Sequence, residues 1–402
     1  MRRLSSFLLE SVKKPKREAT GHLVHVSDRL FHGNADDALN SLRSMFSRMN
    51  NENQDGHHFS VKADGGMSVV FGKEPEPESY SNWLGRSDRA ARSAMEADTI
   101  SKAKARHFVA YKGLKDMFYT HSDIVKSGKD HYVRTLGPLL KRVKGMDLED
   151  GTAYQADMLH TNRGSDTFTA NTIRYKTPEQ GSIGVALHKK LRVSGDDFVS
   201  ERGTPDSSEI KHDDVFTPNL SLRGKKFKKM KKNRHEGISR DMGLVDELTS
   251  KDDFKKFVNG LPENKKFHTM LQAYSNKEAR ESGQLSLDGF RRFIPDYIDR
   301  RKVGIKTKHK EHIDHHNLVN DNEDHFDTLF GAHNASTSAM HGMLDHLQDN
   351  HGVTELQPHD DHEHEGLVHT DENGGMHKFV RRGPEGFAAK NAARTAELRG
   401  QK

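Results

Sequence analysis

His58-Phe59-Ser60-Val61-Lys62-Ala63-Asp64-Gly65-Gly66-Met67-Ser68-Val69-Val70-Phe71-Gly72 is the stretch on which the fold turns. Two β-prone runs, 59–61 and 68–71, flank Asp64-Gly65-Gly66. Glycines supply positive φ and β-branched residues supply strands, so the pattern predicts a hairpin. A lysine beside such a turn has its amine near exposed backbone N–H groups. Once deprotonated, that amine can attack a phosphorus atom. An ordinary surface hairpin with a solvated lysine has the same four residues. The two alternatives separate on whether partner residues follow in order.

At 402 residues the chain has room for two or three domains, or for one domain with a large insertion. Hydrophobic residues make up 32%, charged residues 31%, and mean hydropathy is −0.89. Core material is limited, so ordered parts separated by solvated stretches are expected. No apolar run approaches the ~18 residues of a membrane span. The opening Met1-Arg2-Arg3-Leu4-Ser5-Ser6-Phe7-Leu8-Leu9-Glu10 is too short for a secretory apolar region, which implies a cytoplasmic protein. With no cysteine, disulfides, thiol catalysis and cysteine-based zinc sites are excluded.

Net charge is only +5, but it is unevenly spread. Arg223, Lys225, Lys226, Lys228, Lys229, Lys231, Lys232 and Arg234 form a dense basic run interrupted by Gly224, Phe227 and Met230. Such a run suits a phosphate backbone, or equally a solvated linker.

Residues 1–20 form a basic lead. Residues 35–49 place Leu39, Leu42, Met45, Phe46 and Met49 at helical spacing, with Asn34 or Asp36 as cap. Residues 73–104, with Pro75 and Pro77, suggest a loop and then a helix. Strands are expected at 108–111, 152–159, 168–170, 171–175 and 183–188. A helix follows residue 119 and ends near Val143. Residues 197–222 form a polar loop. Helical periodicity dominates 243–349, and β-character returns at 366–369 and 376–380.

Lys62-Ala63-Asp64-Gly65 resembles motif I of the covalent nucleotidyltransferases: DNA ligases, RNA ligases and mRNA capping enzymes. Gly151-Thr152-Ala153-Tyr154-Gln155-Ala156-Asp157-Met158-Leu159 is similar to motif III. Glu365-Gly366-Leu367-Val368 is similar to motif IV, and Met376-His377-Lys378-Phe379-Val380 to motif V. A basic strand end at Tyr111-Lys112-Gly113 is similar to motif Ia. Together with His22-Leu23-Val24-His25, Tyr119-Thr120-His121-Ser122-Asp123-Ile124 and Asn171-Thr172-Ile173-Arg174-Tyr175, the order also resembles a group of tailed-phage proteins of RNA-ligase type, over about residues 20–190 and 360–385. Three positions depart from the family. Asp157 stands where Glu is commoner, Met67 where DNA ligases carry Arg, and Val380 where a second lysine is usual. The short stretch after Val380 leaves no room for a C-terminal OB domain, which favours the RNA-ligase type.

The resemblance implies an α+β fold: a ligase-like nucleotidyltransferase core of antiparallel sheets with helices, interrupted by a large, mostly α-helical insertion. The expected organisation is a lead over 1–20, the first part of the core over 21–200, a basic linker and helical insertion over 201–355, the last core strands over 356–385 and a tail over 386–402. It assigns catalysis to Lys62, Asp64, Asp157, Glu365 and Lys378. ATP would meet Lys62, Gly65, Lys112 and Lys378, with Tyr154 or Tyr175 stacking the base. Mg²⁺ would sit on Asp157 and Glu365. The partner would be RNA or a nicked duplex, held by Lys225, Lys226, Lys228, Lys229, Lys231, Lys232 and Arg234, in the cytoplasm of an infected host if the chain is phage-encoded. Two other readings stay open: a non-catalytic nucleic-acid-binding or virion-associated protein with a decayed ligase-like core, and nucleotidyl transfer to protein. Two histidine clusters, His309/His312/His315/His316 and His359/His362/His364, have ligand types that suit Zn²⁺ or simply a solvated surface.

Overall fold

The computed structural model describes residues 24–52, 56–63, 65–74, 106–111, 116–160, 166–170, 173–178, 181–194, 197–201, 203–261, 267–350, 352–353, 355–359, 364–372, 375–384, 386, 389–390, 392–393 and 396. The expected lead over 1–20, most of the loop and helix over 73–104, Asp64 and Lys112 lie outside these residues.

The chain opens with β1 (Val24–His25), a 3-10 turn (Ser27–His32) and α1 (Ala35–Met49). Next come β2 (His58–Lys62), β3 (Met67–Lys73), β4 (His107–Tyr111), β5 (Asp116–Phe118), α2 (His121–Lys126) and α3 (Asp130–Val143). Then follow β6 (Thr152–His160), β7 (Thr167–Ala170), β8 (Ile173–Lys176), β9 (Ile183–Ser194), β10 (Asp197–Ser200) and β11 (Val215–Phe216). The later helices are α4 (Lys232–Thr249), α5 (Asp252–Asn259), α6 (Phe267–Glu278), α7 (Leu287–Asp299), α8 (Ile305–Asn320) and α9 (Glu323–Gln348). β12 (Gly366–Thr370) and β13 (Met376–Val380) come last. The fold is mixed α+β, and these elements divide between two compact units.

The sheet unit holds His58–Arg223 and Thr354–His364. Its strands run β10-β9-β6-β3-β4-β5, antiparallel throughout, with β11 parallel to β9. Strand alternation sorts the side chains. Val69, Phe71, Val109, Tyr154, Ala156, Met158, Val185 and Leu187 share one face, covered by Ile124 of α2 and by Tyr132, Leu136, Leu139, Leu140 and Val143 of α3. Where one helix was expected, there are two. Thr120 accepts from the Asp123 backbone N–H and Asp123 accepts from Thr120 N–H, a capping box that starts α2. The opposite face carries a smaller apolar group, Val70, Phe108, Ala110, Ala153 and Leu191.

The expected Lys62 hairpin is not a hairpin. β3 pairs with β4 and β6. β2 instead meets the segment 220–222, where Val61 N–H donates to Leu220 O (2.8 Å) and Leu222 N–H to Phe59 O (2.8 Å). The glycines let the chain turn from one strand layer to another rather than back on itself. β9 also outruns the expected end at His188, because ion pairs accommodate its charged half. Lys190 pairs with Glu209, and Arg192 with Glu201 and Glu149.

The helical unit holds Leu23–His57, Gly224–Val353 and Glu365–Lys402. Leu39, Leu42, Met45 and Met49 of α1 are buried as their spacing predicts, while Phe46 is half-buried against the His235 ring. Asn34 occupies the cap position but makes no side-chain cap bond. Phe267, Tyr274, Phe290, Phe326 and Phe330 form an aromatic core around α9. β13 pairs in parallel with β1 and antiparallel with β12. The expected boundaries therefore shift. Residues 24–57 and the strands after Glu365 fold with the helices, because β1 needs β13 and α1 packs on α4 and α9.

One polar network is sealed inside this unit. Asp28 is fully buried and accepts from Arg382 (2.7 Å), Gln272 (2.6 Å) and Ser275 (2.8 Å), with His333 at 3.1 Å. Burial alone would raise its pKa, but Arg382 and His333 hold it well below the usual carboxylate value. Among the described residues, no helix is long and apolar enough to cross a membrane.

Candidate functional site

Lys62 is the last residue of β2 and is half-buried. The segment after it drops onto β6. Gly65 N–H donates to Asp157 Oδ2 (3.2 Å), and Gly66 N–H donates to Met158 O (3.0 Å). A Cβ at Gly65 would stand 2.0 Å from Met158 O, so only glycine permits this approach. The structure thus ties the strand of Lys62 to Asp157, the two leading residues of the sequence reading.

Asp157 lies opposite Ser68 of β3 and Ala186 of β9. Its Oδ2 also meets His188 Nε2 at 3.4 Å. Among the described residues no hydrogen bond uses Oδ1. One carboxylate oxygen is therefore held by Gly65 and His188. This donor set suits Mg²⁺, which keeps several waters and takes one or two carboxylates plus substrate phosphates. Among the described residues, no group of three or more His, Asp or Glu is placed to hold a metal ion by itself.

Sequence reasoning missed His188, Lys189 and Gln155. A bulge in β9 at His188 puts Lys189 directly opposite Gln155, so both share the face of Asp157. Lys189 is buried, and burial lowers the pKa of its ammonium. Gln155 Oε1 is buried and has no hydrogen-bond partner among the described residues. Only the charged break in the alternation of β9 hinted at this group.

Neither expected stacking tyrosine presents an open ring. Tyr154 lies in the apolar core on the face opposite Asp157, stacked on Phe71, and its hydroxyl donates to Glu209 (3.1 Å). Burial, then Glu209, pushes its phenol well up. Tyr175 is fully buried and stacks on Phe168.

Glu365 and Lys378 belong to the helical unit. Glu365 is buried, and Lys378 is half-exposed on β13 opposite Val368. A Cβ at Gly366 would stand 2.0 Å from Phe379 O, so strand packing accounts for the glycine of this pair. Two of the positions that depart from the ligase pattern face the interior. Met67 packs on the apolar core, and Val380 is buried, so a long cation fits neither position.

The basic run is not a loose linker. Phe227 and Met230 are buried, and the backbone between them is pinned to the ends of α1 and α9. The histidines of α8 do not converge. His315 is buried edge-on against Phe267, while His312 meets Asp299.

A model described as "Family of unknown function (DUF6267)" matches residues 102–394. The match begins after Lys62 and includes Asp157, His188, Glu365 and Lys378. No curated protein and no solved structure matches the chain.

Proposed function

The chain belongs to DUF6267, a family of unknown function, and we propose from its own residues that it is an ATP-dependent nucleotidyltransferase, a polynucleotide ligase of RNA-ligase type acting on RNA or a nicked duplex. The observation that carries this reading is the docking of Gly65 N–H onto Asp157 at 3.2 Å, three residues after Lys62. An obligatory glycine, a carboxylate with one oxygen unused among the described residues and a lysine on the adjoining strand end form a set with a use at phosphorus.

In the first step the neutral Lys62 amine attacks the α-phosphorus of ATP. An N–P bond forms, the bond to the bridging oxygen breaks, and pyrophosphate carries away that electron pair. The amine proton passes to solvent. An acceptor phosphate oxygen then displaces Lys62 from the nucleotide. Asp157 is the residue that would hold Mg²⁺, and the ion would supply positive charge against the leaving pyrophosphate. Gly65 and His188 hold Asp157 in one orientation, so no rearrangement is needed during the step. Glu365 and Lys378 remain assigned by resemblance to lysine orientation and α-phosphate binding.

The test is incubation with Mg²⁺ and α-³²P-labelled ATP or GTP, followed by a denaturing gel. Wild type should retain label and Lys62→Ala should not. If wild type takes no label from either nucleotide and carries none as purified, the reading fails.

A second reading has its own support. The core-facing Met67 and Val380 remove two cations that active ligases use. A non-catalytic nucleic-acid-binding protein on the same fold would lack label yet bind RNA or DNA.

A further inference from the structure

A Lys/Arg-rich stretch binds phosphates well only when its charges are held outward and left uncompensated. Within the segment from Lys225 to Lys232, Lys226, Lys228 and Lys229 meet both conditions. No turn or bend interrupts 225–231. Asn51, held at φ 63, donates to Phe227 O (2.9 Å) and accepts from Phe227 N–H (2.7 Å). Asn350 accepts from Lys228 N–H at 2.6 Å, and Arg48 donates to Lys225 O at 2.5 Å. The Phe227 ring lies 5.6 Å from the Arg48 guanidinium and 5.9 Å from the His346 ring. The segment is a strap, nailed down at its apolar residues.

What remains outside is lysine. Lys226, Lys228, Lys229, Lys231 and Lys232 are exposed. They are not equivalent. Asp349 pairs with Arg234 (2.5 Å) and lies 3.9 Å from Lys231, and Glu236 lies 3.7 Å from Lys232. No carboxylate among the described residues pairs with Lys226, Lys228 or Lys229. From Lys226 to Lys232 an extended backbone spans roughly 20 Å. One strand of a duplex carries a phosphate about every 3.4 Å along its axis, so charge spacing on the two sides is comparable.

We propose that this strap is the docking surface for the phosphodiester backbone of the nucleic acid, and that Lys226, Lys228 and Lys229 carry the binding. It rests on the reading above and names the surface that would hold the nucleic acid. Binding here follows backbone charge and not base sequence. Arg234, which sequence counted with the binding residues, is spent on Asp349 and contributes nothing.

The test uses the full chain and fluorescein-labelled single-stranded RNA and nicked DNA duplex, with anisotropy read from about 50 to 300 mM salt. Three outcomes are expected. Lys226→Ala/Lys228→Ala/Lys229→Ala should weaken binding at least tenfold and lower the log–log salt slope by roughly 2 to 3. Arg234→Ala should leave the slope unchanged. Asn51→Ala, which frees the strap without removing charge, should fall between them. The proposal is overturned if the triple variant binds like wild type, if Arg234→Ala loses as much, or if wild type prefers heparin or anionic vesicles to both nucleic acids. Label transfer to Lys62 is read on the same variants. Its absence with strap binding intact would sink the nucleotidyltransferase reading alone.

Discussion

The two units treat charge in opposite ways. In the sheet unit Asp157, His188 and Gln155 stand on a half-open sheet face, with one Asp157 oxygen unused among the described residues. In the helical unit Asp28 and Arg382 are sealed in the core, and both Asp28 oxygens accept hydrogen bonds. The first arrangement gives up stability to keep groups available. The second uses charge to hold the 3-10 turn, α6, α9 and the segment after β13 together. An exposed pair contributes little to stability, and a buried pair is costly to break.

Breaking one pair in each unit makes the contrast measurable. Arg382→Met should cost about 3 to 5 kcal/mol, because it leaves Asp28 buried and uncompensated. Arg142→Met in the sheet unit should cost under about 1 kcal/mol, since the Arg142–Asp214 pair is part-exposed. Urea denaturation of both variants checks the pair, and equal losses would erase the contrast. Apolar burial should not distinguish the units. Leu136→Ala, beneath the sheet, should lose about 2 to 5 kcal/mol on the same scale.

Acid should weigh more on the helical unit, although burial also lowers His107 in the sheet unit. Burial, then Arg381, lowers His341 to about 4, and its Nε2 accepts from Arg382 N–H (2.9 Å). His333 and His377 are lowered too, chiefly by burial. These folded-state values lie below the unfolded one. Between pH 6.5 and about 4, unfolded chain therefore binds protons that folded chain refuses. Stability is intact above 6.5 and is lost as pH falls through that window, by about 2 kcal/mol from His341 after allowance for partial exposure. Asp28 adds its loss only below its ordinary value of 3.8. Hydrogen exchange should show α9 opening at pH 5 before β6 does. The smallest effect concerns positioning. His188→Gln should slow nucleotide labelling roughly tenfold with little change in stability. An unchanged rate would remove His188 from the site.

Much of this architecture could be read from local pattern. Alternation located β6, and helical spacing located α1 with four of its five apolar residues buried. Thr120 and Asp123 carry the signal for α2, within a stretch that reads as one continuous helix. What depended on distant partners was not readable. β1 is two residues long and exists because β13 lies beside it. Lys62-Ala63-Asp64-Gly65-Gly66 looked like a hairpin because glycine announces a turn without saying which strand receives it. Asp157 carried a motif, whereas His188 acquires meaning only through a bulge and a cross-strand approach. The Asp28 network joins residues more than 350 positions apart, and no periodicity reports that.

The most direct test of the central claim is to map the adduct. Protein incubated with ATP and Mg²⁺ is digested under alkaline conditions, which spare a phosphoramidate, and its peptides are sequenced by mass spectrometry. AMP on Lys62, released by acid and absent in Gly65→Ala, is the predicted result. Unmodified Lys62 in protein that is folded and nucleotide-saturated, or AMP on another residue, would contradict it.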